Sequence, residues 1–359
     1  MQSQLMQAGQ LLIVGFEGKT APAELLERIR NGRVGGVVLF GRNLGTLDEI
    51  LALTRALAEA VPAGDPPLLI SIDQEGGRVQ RVKAPFPHWP PMARLGVVDD
   101  EALSEAVGRA VGEEVAALGF NVDFAPVLDV HTNPANPIIG DRAFGETPAH
   151  AARHALAFWR GLEAAGVRGC GKHFPGHGDT ATDSHLALPR VDKTLDELRA
   201  VELAPFAAAA CAGVPMLMTA HVLYPAVDAP PATLSRRWLI DILRGELGYT
   251  GLVVSDDLDM KAIADHFDVA LAVVDSLLAG ADCFLACRDP KIQVLAEAAL
   301  ADGADRDPAV RARLTQSTDR LRAFRATLAA PPAAGAHHTL ALDSHAQLSA
   351  QLRDGRQKT

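Results

Sequence analysis

Residues 167–185 read Val167-Arg168-Gly169-Cys170-Gly171-Lys172-His173-Phe174-Pro175-Gly176-His177-Gly178-Asp179-Thr180-Ala181-Thr182-Asp183-Ser184-His185. The apolar start of this stretch is typical of a short buried strand. A loop with three histidines, two aspartates and a lysine follows it directly. Loops that carry so many titratable groups at a strand end are more often functional sites than simple connections. The stretch therefore predicts a strand whose carboxyl end leads into a site.

Other apolar runs in the chain have the same character, and longer segments with helical periodicity separate them. Continuous apolar runs indicate strands that are buried on both faces and hence parallel. Roughly eight βα units predict an α/β fold, namely a closed (β/α)8 TIM-type barrel. An open doubly wound sheet is the alternative, although no Gly-x-Gly-x-x-Gly motif follows the first run. The predicted strands are Leu11–Phe16, Val34–Phe40, Leu68–Asp73, Val122–Val127, Val167–His173, Met216–His221, Leu252–Asp256 and Cys283–Ala286. The predicted helices include Leu47–Ala60, Glu101–Leu118, Ala149–Ala165, Leu195–Ala212, Arg236–Leu247 and Val269–Ala279.

The composition argues against several classes of partner. The 359 residues carry a net charge of −10 and contain no long block of basic residues. Binding to nucleic acid or to a membrane is therefore not expected. The first apolar run is too short for a signal peptide or a spanning helix. The cysteines are interpreted as buried free thiols in a reducing compartment, so the cytoplasm is predicted. They are Cys170, Cys211, Cys283 and Cys287.

Polar side chains follow four of the predicted strands. They are Asp73, the pair Lys172-His173, His221 and the pair Asp256-Asp257. Because the carboxyl ends of all barrel strands share one face, residues far apart in sequence converge there on one mouth. We therefore expect these side chains to form a single site.

Three residues are candidates for the chemical steps. Asp183 and His185 are separated by Ser184 alone. A carboxylate at that spacing can orient an imidazole and stabilise its charged form, which makes a proton-transfer dyad. Asp256 directly follows a buried run and is a candidate nucleophile. A single aspartate at a strand end can also cap a helix or fix a loop, and this alternative stays open.

Two other segments carry candidates for substrate binding. Asp73 can accept two sugar hydroxyls, and Arg81 can hold another hydroxyl or an acidic group. An Asp–Arg ion pair that only fixes this loop is an equal alternative. Arg142 is the one long cation in the polar loop 133–145, and it can reach the site or pair with Asp141 or Glu146.

The motifs together resemble the family 3 glycoside hydrolases. They are Lys172-His173-Phe174-Pro175-Gly176-His177-Gly178, Asp183-Ser184-His185, the run from Asp73 to Arg81, and Ser255-Asp256-Asp257. More narrowly, the chain is similar to the single-domain β-N-acetylhexosaminidases of the peptidoglycan-recycling type, over about residues 11–329. The family's β-glucosidases share the Lys-His and Ser-Asp elements but lack the Asp-Ser-His loop, and they usually add a second domain, for which no room is expected here.

The resemblance implies a set of roles. Asp256 matches the nucleophile, His185 the general acid/base, and Asp183 its orienting partner. The positions that hold the N-acetylglucosamine ring match Asp73, Arg81, Arg142, Lys172 and His173. The implied substrates are small N-acetylglucosamine-containing muropeptides, with release of terminal β-linked N-acetylglucosamine from an anhydro-muramic acid or its peptides. No cofactor and no metal are implied, and a monomer is the simplest oligomeric state.

Several other functions compete with this one. A β-glucosidase, or a phosphorylase that captures the covalent intermediate with phosphate, would keep the same nucleophile. A metal-dependent hydrolase could take ligands from His173, His177, Asp179, Asp183 and His185. A Schiff-base lyase could use Lys172, and a non-catalytic glycan-binding barrel is the last alternative.

The C-terminal part changes character. The predicted barrel domain comprises residues 1–329, with a final helix over Asp307–Ala329. Residues 330–359 are predicted to be a Pro/Ala linker and a weakly ordered tail. His337-His338 could be a metal-binding pair, but a disordered setting is preferred.

Overall fold

A computed structural model describes residues 2–181 and 188–355 of the chain. Its centre is a closed barrel of eight parallel strands. The predicted (β/α)8 fold is therefore confirmed, and each of the eight predicted runs contributes one barrel strand. A two-stranded antiparallel hairpin, β4–β5, is added at the end of the third strand. The strands are β1 (Leu12–Val14), β2 (Gly36–Val38), β3 (Leu69–Ile72), β4 (Gln74–Gly76), β5 (Val79–Gln80), β6 (Val122–Asp123), β7 (Arg168–Phe174), β8 (Met216–Thr219), β9 (Leu252–Asp257) and β10 (Cys283–Ala286).

Helices surround the barrel. None of those in the described ranges is long and apolar enough to cross a membrane. They are α1 (Gln2–Gln10), α2 (Ala23–Arg30), α3 (Leu47–Glu59), α4 (Ala93–Val98), α5 (Glu101–Ala116), α6 (Pro148–Ala164), α7 (Leu195–Ala200), α8 (Ala204–Ala212), α9 (Lys261–Ala264), α10 (Val269–Ala279), α11 (Pro290–Arg306), α12 (Pro308–Arg325) and α13 (Leu342–Asp354). Short 3-10 turns lie at Gly41–Asn43, Gly140–Arg142, Ala232–Leu234 and Ala336–Thr339, and Arg237–Glu246 is a π-helix.

Helix α3 shows how local sequence builds these helices. Thr46 accepts a hydrogen bond from the backbone of Glu49, whose carboxylate accepts one from the backbone of Thr46, which closes a capping box. Ile50, Leu53 and Leu57 are buried against the barrel. Their spacing places them on one face of the helix.

The predicted helix Leu195–Ala212 is two helices in the structure. The chain leaves helical geometry at Val201, and α8 begins at Ala204 with Pro205 in its first turn. Proline cannot donate a backbone hydrogen bond and is tolerated at a helix start but not in its interior. The break between α7 and α8 therefore has a local cause in the sequence, and the apolar periodicity alone does not reveal it.

The expectation for the cysteines holds for three of the four side chains. Cys170, Cys283 and Cys287 are buried free thiols, whereas Cys211 is exposed near the end of α8. The prediction was wrong for Cys211 because that helix is rich in alanine on all faces, so its sequence does not mark the buried side.

The C-terminal segment also differs from expectation. Instead of a weakly ordered tail, residues 342–354 form α13, which packs against α4 and α5. Its buried face consists of His345, Ser349 and Leu352. His345 bonds through Nδ1 to Glu114 at 3.0 Å and through Nε2 to Glu113 at 3.2 Å. Because this face is mostly polar, a search for apolar periodicity does not detect it.

A buried carboxylate holds the chain together where it enters β10. Asp282 is fully buried and accepts hydrogen bonds from Arg244 at 2.7 Å, Arg320 at 2.7 Å and the backbone of Val253 at 3.0 Å. Arg313 lies 3.5 Å away. One carboxylate thus neutralises guanidinium groups from the π-helix and from α12, and it joins both to β9.

We expect Asp282→Asn to lower the free energy of unfolding by about 3–5 kcal/mol, because it leaves buried arginines without a counter-charge. Asp302→Asn is the matched control, since Asp302 pairs with Arg306 on an exposed face of α11. The control should stay within about 0.5 kcal/mol of wild type. Urea unfolding followed by circular dichroism measures both, and equal stabilities of the two variants would contradict the assignment.

Candidate active site

The carboxyl ends of the barrel strands enclose one cavity of about 210 Å³. This is smaller than the roughly 300–1,000 Å³ typical of sites for drug-sized ligands, so it suits a single small ring. Six of the predicted site residues line it: Asp73, Arg81, Arg142, Lys172, His173 and Asp256. The predicted convergence of these residues is therefore present in the structure.

A buried network of opposite charges forms one wall of the cavity. Lys172 Nζ lies 2.8 Å from Asp73 Oδ1 and 2.6 Å from Glu75 Oε1. Arg142 binds Glu75 in a bidentate manner, with Nε and Nη2 each 2.8 Å from a carboxylate oxygen. Arg142 therefore pairs with neither Asp141 nor Glu146, the partners left open by the sequence.

The network fixes the ionisation of its members. Burial opposes the charge on Glu75, but Arg142 and Lys172 outweigh it and hold the pKa of Glu75 well below its ordinary value. Burial also opposes the charge on Lys172, but Asp73 and Glu75 raise its pKa. Lys172 is thus a protonated, paired ammonium. An amine in that state is a poor nucleophile, which argues against a Schiff-base lyase.

The β4–β5 hairpin positions the Arg81 side of the cavity. Gln74 is fully buried, and its side-chain oxygen accepts hydrogen bonds from the backbones of Arg81 at 2.8 Å and Val82 at 3.0 Å. Its own backbone donates to Asp123 at 2.9 Å. Arg81 Nη2 lies 3.8 Å from Asp73 Oδ2. The pair is long and partly exposed, so the Arg81 guanidinium is available to a ligand. The same pair can also help to fix the loop.

Adjacent carboxyl groups end β9. Asp256 Oδ1 accepts the backbone N–H of Asp257 at 2.8 Å, and Asp256 lines the cavity. Asp257 accepts backbone N–H groups of Asp259 and Cys287, each at 3.1 Å. Burial and the charge of Asp259 raise the pKa of Asp257 to about 7. His221, which the sequence also marked, bonds the carbonyl oxygen of Asp257 at 3.1 Å rather than lining the cavity.

A second buried carboxylate, Asp129, organises the end of β7. Asp129 Oδ2 lies 2.7 Å from His173 Nδ1, and Oδ1 accepts the backbone N–H of His177 at 2.6 Å. Because a carboxylate only accepts, the Nδ1 atom of His173 carries a proton. Burial opposes ionisation of Asp129, but the two histidines outweigh it and lower its pKa. The result is a fixed orientation of the His173 ring at the cavity.

The predicted metal ligands on this loop have other partners. His177 Nδ1 bonds Thr180 Oγ1 at 2.7 Å, and burial together with His173 lowers the pKa of His177 to about 4. Asp179 accepts from Thr132 at 3.1 Å and pairs with Lys193 at 3.2 Å. These described members of the set do not converge on one point, which weakens the metal-dependent alternative.

Asp183 and His185 lie outside the described residues. The chain on either side of them is anchored. The Asn136 side chain donates to the carbonyl oxygens of His177 at 2.8 Å and Gly178 at 3.1 Å. Beyond the loop, Val191 N donates to Leu223 O at 2.9 Å.

Comparisons with known proteins fit this geometry. Residues 6–322 match the model of the glycosyl hydrolase family 3 N-terminal domain. The chain is 43% identical over 296 residues to a β-hexosaminidase of Pseudomonas aeruginosa, covering 82% of this chain and 87% of the relative.

The chain belongs to glycosyl hydrolase family 3. It is therefore a glycoside hydrolase, and the predicted resemblance to the family's β-N-acetylhexosaminidases is confirmed. Solved family 3 structures agree. A β-N-acetylglucosaminidase from Paenibacillus sp. has a TM-score of 0.89 at 38% identity and covers 97% of this chain and 67% of its own. NagZ from Neisseria gonorrhoeae, in complex with N-trifluoroacetyl-D-glucosamine, has a TM-score of 0.78 at 32% identity and covers 95% of this chain and 97% of its own.

The sequence did not identify two central residues of this family 3 site. Glu75 is the carboxylate shared by Lys172 and Arg142, and Asp129 holds His173. Both follow predicted strands, Glu75 after Leu68–Asp73 and Asp129 after Val122–Val127. Their position after a predicted strand was the one sequence feature that could have marked them as site residues. Only the packed structure shows which cations each carboxylate contacts.

We expect Glu75→Gln to lower the free energy of unfolding by about 3–5 kcal/mol at neutral pH, because Lys172 and Arg142 lose their shared counter-charge. The folded pKa of Glu75 lies below its ordinary value of 4.5. Its contribution is thus complete above about pH 4.5 and is lost as the pH falls through the folded pKa. Urea unfolding from pH 3 to 8 should show the difference from wild type shrinking in acid.

Glu59→Gln is the control for this experiment, because Glu59 forms an exposed pair with Arg55 on α3. It should change stability little at any pH. A Glu75→Gln deficit that is the same at pH 3.5 and pH 7 would contradict the ionised network.

Proposed function

We propose that this protein is a retaining exo-β-N-acetylhexosaminidase that releases terminal β-linked N-acetylglucosamine through a covalent intermediate on Asp256. The observation that carries the proposal is that Asp256 and a set of paired charged side chains line one small cavity at the barrel mouth. The named activities of the relatives, a β-hexosaminidase and a β-N-acetylglucosaminidase, support the choice of sugar.

Binding of a neutral sugar follows from the charge balance of the cavity. Arg81, Arg142 and Lys172 are offset by Asp73, Glu75 and Asp256, and the balance is complete when Asp257, a fourth carboxyl group with a raised pKa, is neutral. A ligand with a net charge would disturb this balance, whereas hydroxyl groups can both donate and accept. We assign the ring hydroxyls to Asp73, Arg81, Arg142, Lys172 and His173. The small volume favours one terminal ring, hence exo action.

The chemistry takes two displacements at the anomeric carbon. In the first, a carboxylate oxygen of Asp256 forms a bond to that carbon while the bond to the aglycone oxygen breaks. His185 gives its proton to the departing oxygen. In the second, His185 takes a proton from water, the water oxygen attacks the anomeric carbon, and Asp256 leaves as a carboxylate. Asp183 orients His185 and stabilises the imidazolium.

We place the acid/base pair Asp183 and His185 beside the cavity; residues 182–187, which include both, lie outside the described ranges. The anchors on both sides of that stretch support it. Asp129 and Asn136 fix the chain at His177, beside the cavity.

We further propose that the natural substrates are peptidoglycan fragments, N-acetylglucosaminyl-anhydro-muramic acid and its peptides, acted on by a monomer in the cytoplasm. The barrel within residues 1–329 is the proposed catalytic domain, and residues 330–359 form an appended segment. The resemblance to the recycling-type enzymes supports this substrate.

We expect Asp256→Ala to lower kcat on 4-nitrophenyl N-acetyl-β-D-glucosaminide by about 10⁴-fold or more, because the nucleophile is lost. The matching β-glucoside should be hydrolysed slowly by wild type. Release of 4-nitrophenol measures both. Asp265→Ala, on an exposed aspartate after α9, is the control and should retain wild-type kcat.

Two outcomes of that assay would change the proposal. Preference for the glucoside would assign a β-glucosidase with the same nucleophile. N-acetylglucosamine 1-phosphate as the main product in phosphate buffer would assign a phosphorylase.

We expect His185→Ala to affect substrates with poor leaving groups most, by about 10²–10⁴-fold in kcat. The aryl glycoside, whose phenolate leaves without a proton, should form the covalent intermediate at nearly the wild-type rate. Ser184→Ala, in the same loop, is the control. Rapid-mixing kinetics on aryl and alkyl glycosides separates the steps, and an equal loss on both substrates would rule out His185 as the acid.

A further inference from the structure

A cluster of metal-ligating side chains lies where the C-terminal segment meets the barrel. It comprises Asp48, in the first turn of α3, and His337 and His338, in the 3-10 turn Ala336–Thr339. One ligand atom from each residue lies within 4.8 Å of the others. Nε2 of His337 is 3.4 Å from Asp48 Oδ1, and Nε2 of His338 is 3.9 Å from the same oxygen.

We propose that Asp48, His337 and His338 form a site for a divalent transition-metal ion, for which Zn²⁺ is the best chemical match. Imidazole nitrogen and carboxylate oxygen are ordinary zinc ligands at about 2.0–2.2 Å. In a tetrahedron with such bonds, neighbouring ligand atoms are about 3.3–3.5 Å apart. The distance of 3.4 Å from His337 Nε2 to Asp48 Oδ1 already meets this value. The distance of 3.9 Å from His338 Nε2 to the same oxygen must shorten slightly. His338 can make this small movement because its side chain is exposed.

The His337 ring is held in place by its surroundings. Its side chain is only 4% exposed. The Nδ1 atom is buried and has no hydrogen-bond partner within residues 2–181 and 188–355. A buried ring nitrogen that the protein leaves unpaired is uncommon and needs an explanation. Metal binding through Nε2 would keep the proton on Nδ1 and would not supply that partner, so the support from His337 is its burial, which holds the ring beside Asp48.

The charges around Asp48 favour a cation. Within the described chain its carboxylate pairs only with the two histidines, which are uncharged when they act as ligands. The other described group of this kind, Asp99 with His150 and His154, differs in this respect. There Arg153 binds the Asp99 carboxylate directly and competes with any cation. The first cluster is therefore the better candidate.

The site would fasten the C-terminal segment to the barrel. A cavity of about 710 Å³ adjoins the cluster and is lined by all three residues and by Asp343. It leaves room for a water molecule or the Asp343 carboxylate as a fourth ligand. Asp48 belongs to a barrel helix, while His337 and His338 lie in the 3-10 turn that comes before α13. One ion would thus join two parts of the chain that are distant in sequence.

The test is Zn²⁺ binding to the full-length protein after removal of bound metal, by competition with a chromogenic chelator. We expect His338→Ala and Asp48→Asn each to weaken one Zn²⁺ site at least tenfold. His150→Ala is the control for the second cluster and should bind as wild type does. Because His338 and Asp48 are both exposed, these variants should fold, which their circular dichroism spectra would verify.

A second readout is independent of other zinc sites. Zn²⁺ should slow proteolytic cleavage of residues 329–341 in wild type and in His150→Ala, but not in His338→Ala. A site that survives both His338→Ala and Asp48→Asn with unchanged affinity would overturn the proposal. So would a loss of binding in His150→Ala alone, or the absence of any Zn²⁺-dependent protection in wild type.

Discussion

The site depends on one buried carboxylate that two cations share. Lys172 and Arg142 are almost completely buried, and each buried ion costs several kcal/mol of desolvation unless a counter-charge offsets it. Glu75 provides that charge at 2.6–2.8 Å from both. The pairing joins β7, the β4–β5 hairpin and the 3-10 turn Gly140–Arg142 at one point. Three separate parts of the chain therefore cannot move apart without exposing an unpaired charge, and the wall of the cavity is fixed.

Hydrogen bonds also hold the side chains at the ends of β9 and β7. Asp256 ends a barrel strand, and its carboxylate is held by a backbone N–H. His173 is oriented by Asp129, which also receives the backbone of His177. β7 itself ends at Phe174, so this anchor lies just beyond the barrel strand. In the proposed mechanism the nucleophile needs a fixed distance to the anomeric carbon, whereas the acid/base group serves a departing oxygen and then an incoming water. The end of β9 suits the first of these proposed tasks.

The sequence predicted the barrel well because parallel barrel strands are buried on both faces and therefore appear as continuous apolar runs. It predicted the convergence of Asp73, Lys172 and Asp256 because the topology alone brings strand ends together. It missed Glu75 and Asp129, since their importance depends on which cations pack beside them. It also missed α13, whose inner face includes His345 and Ser349 and so lacks an apolar stripe. Elements that are buried through an apolar sequence pattern can be predicted from the sequence. Elements and side chains that are buried through pairing of polar groups cannot, because the partner is visible only in the folded structure.

The adjacent carboxyls of Asp256 and Asp257 show how the environment can assign different tasks to like groups. Two neighbouring carboxylates repel each other, so the protein stabilises one charge best by neutralising the other. Burial and Asp259 raise the pKa of Asp257 to about 7. The raised pKa favours the neutral form of Asp257, and a neutral Asp257 places no second negative charge beside Asp256. The Asp257 backbone N–H meanwhile donates to Asp256. The sequence favoured Asp256 for the site because it directly follows the buried run, and it allowed Asp257 to bond the backbone, as Asp257 does. The structure adds an electrostatic difference between the two carboxyl groups, which suits Asp256 to the proposed role of nucleophile.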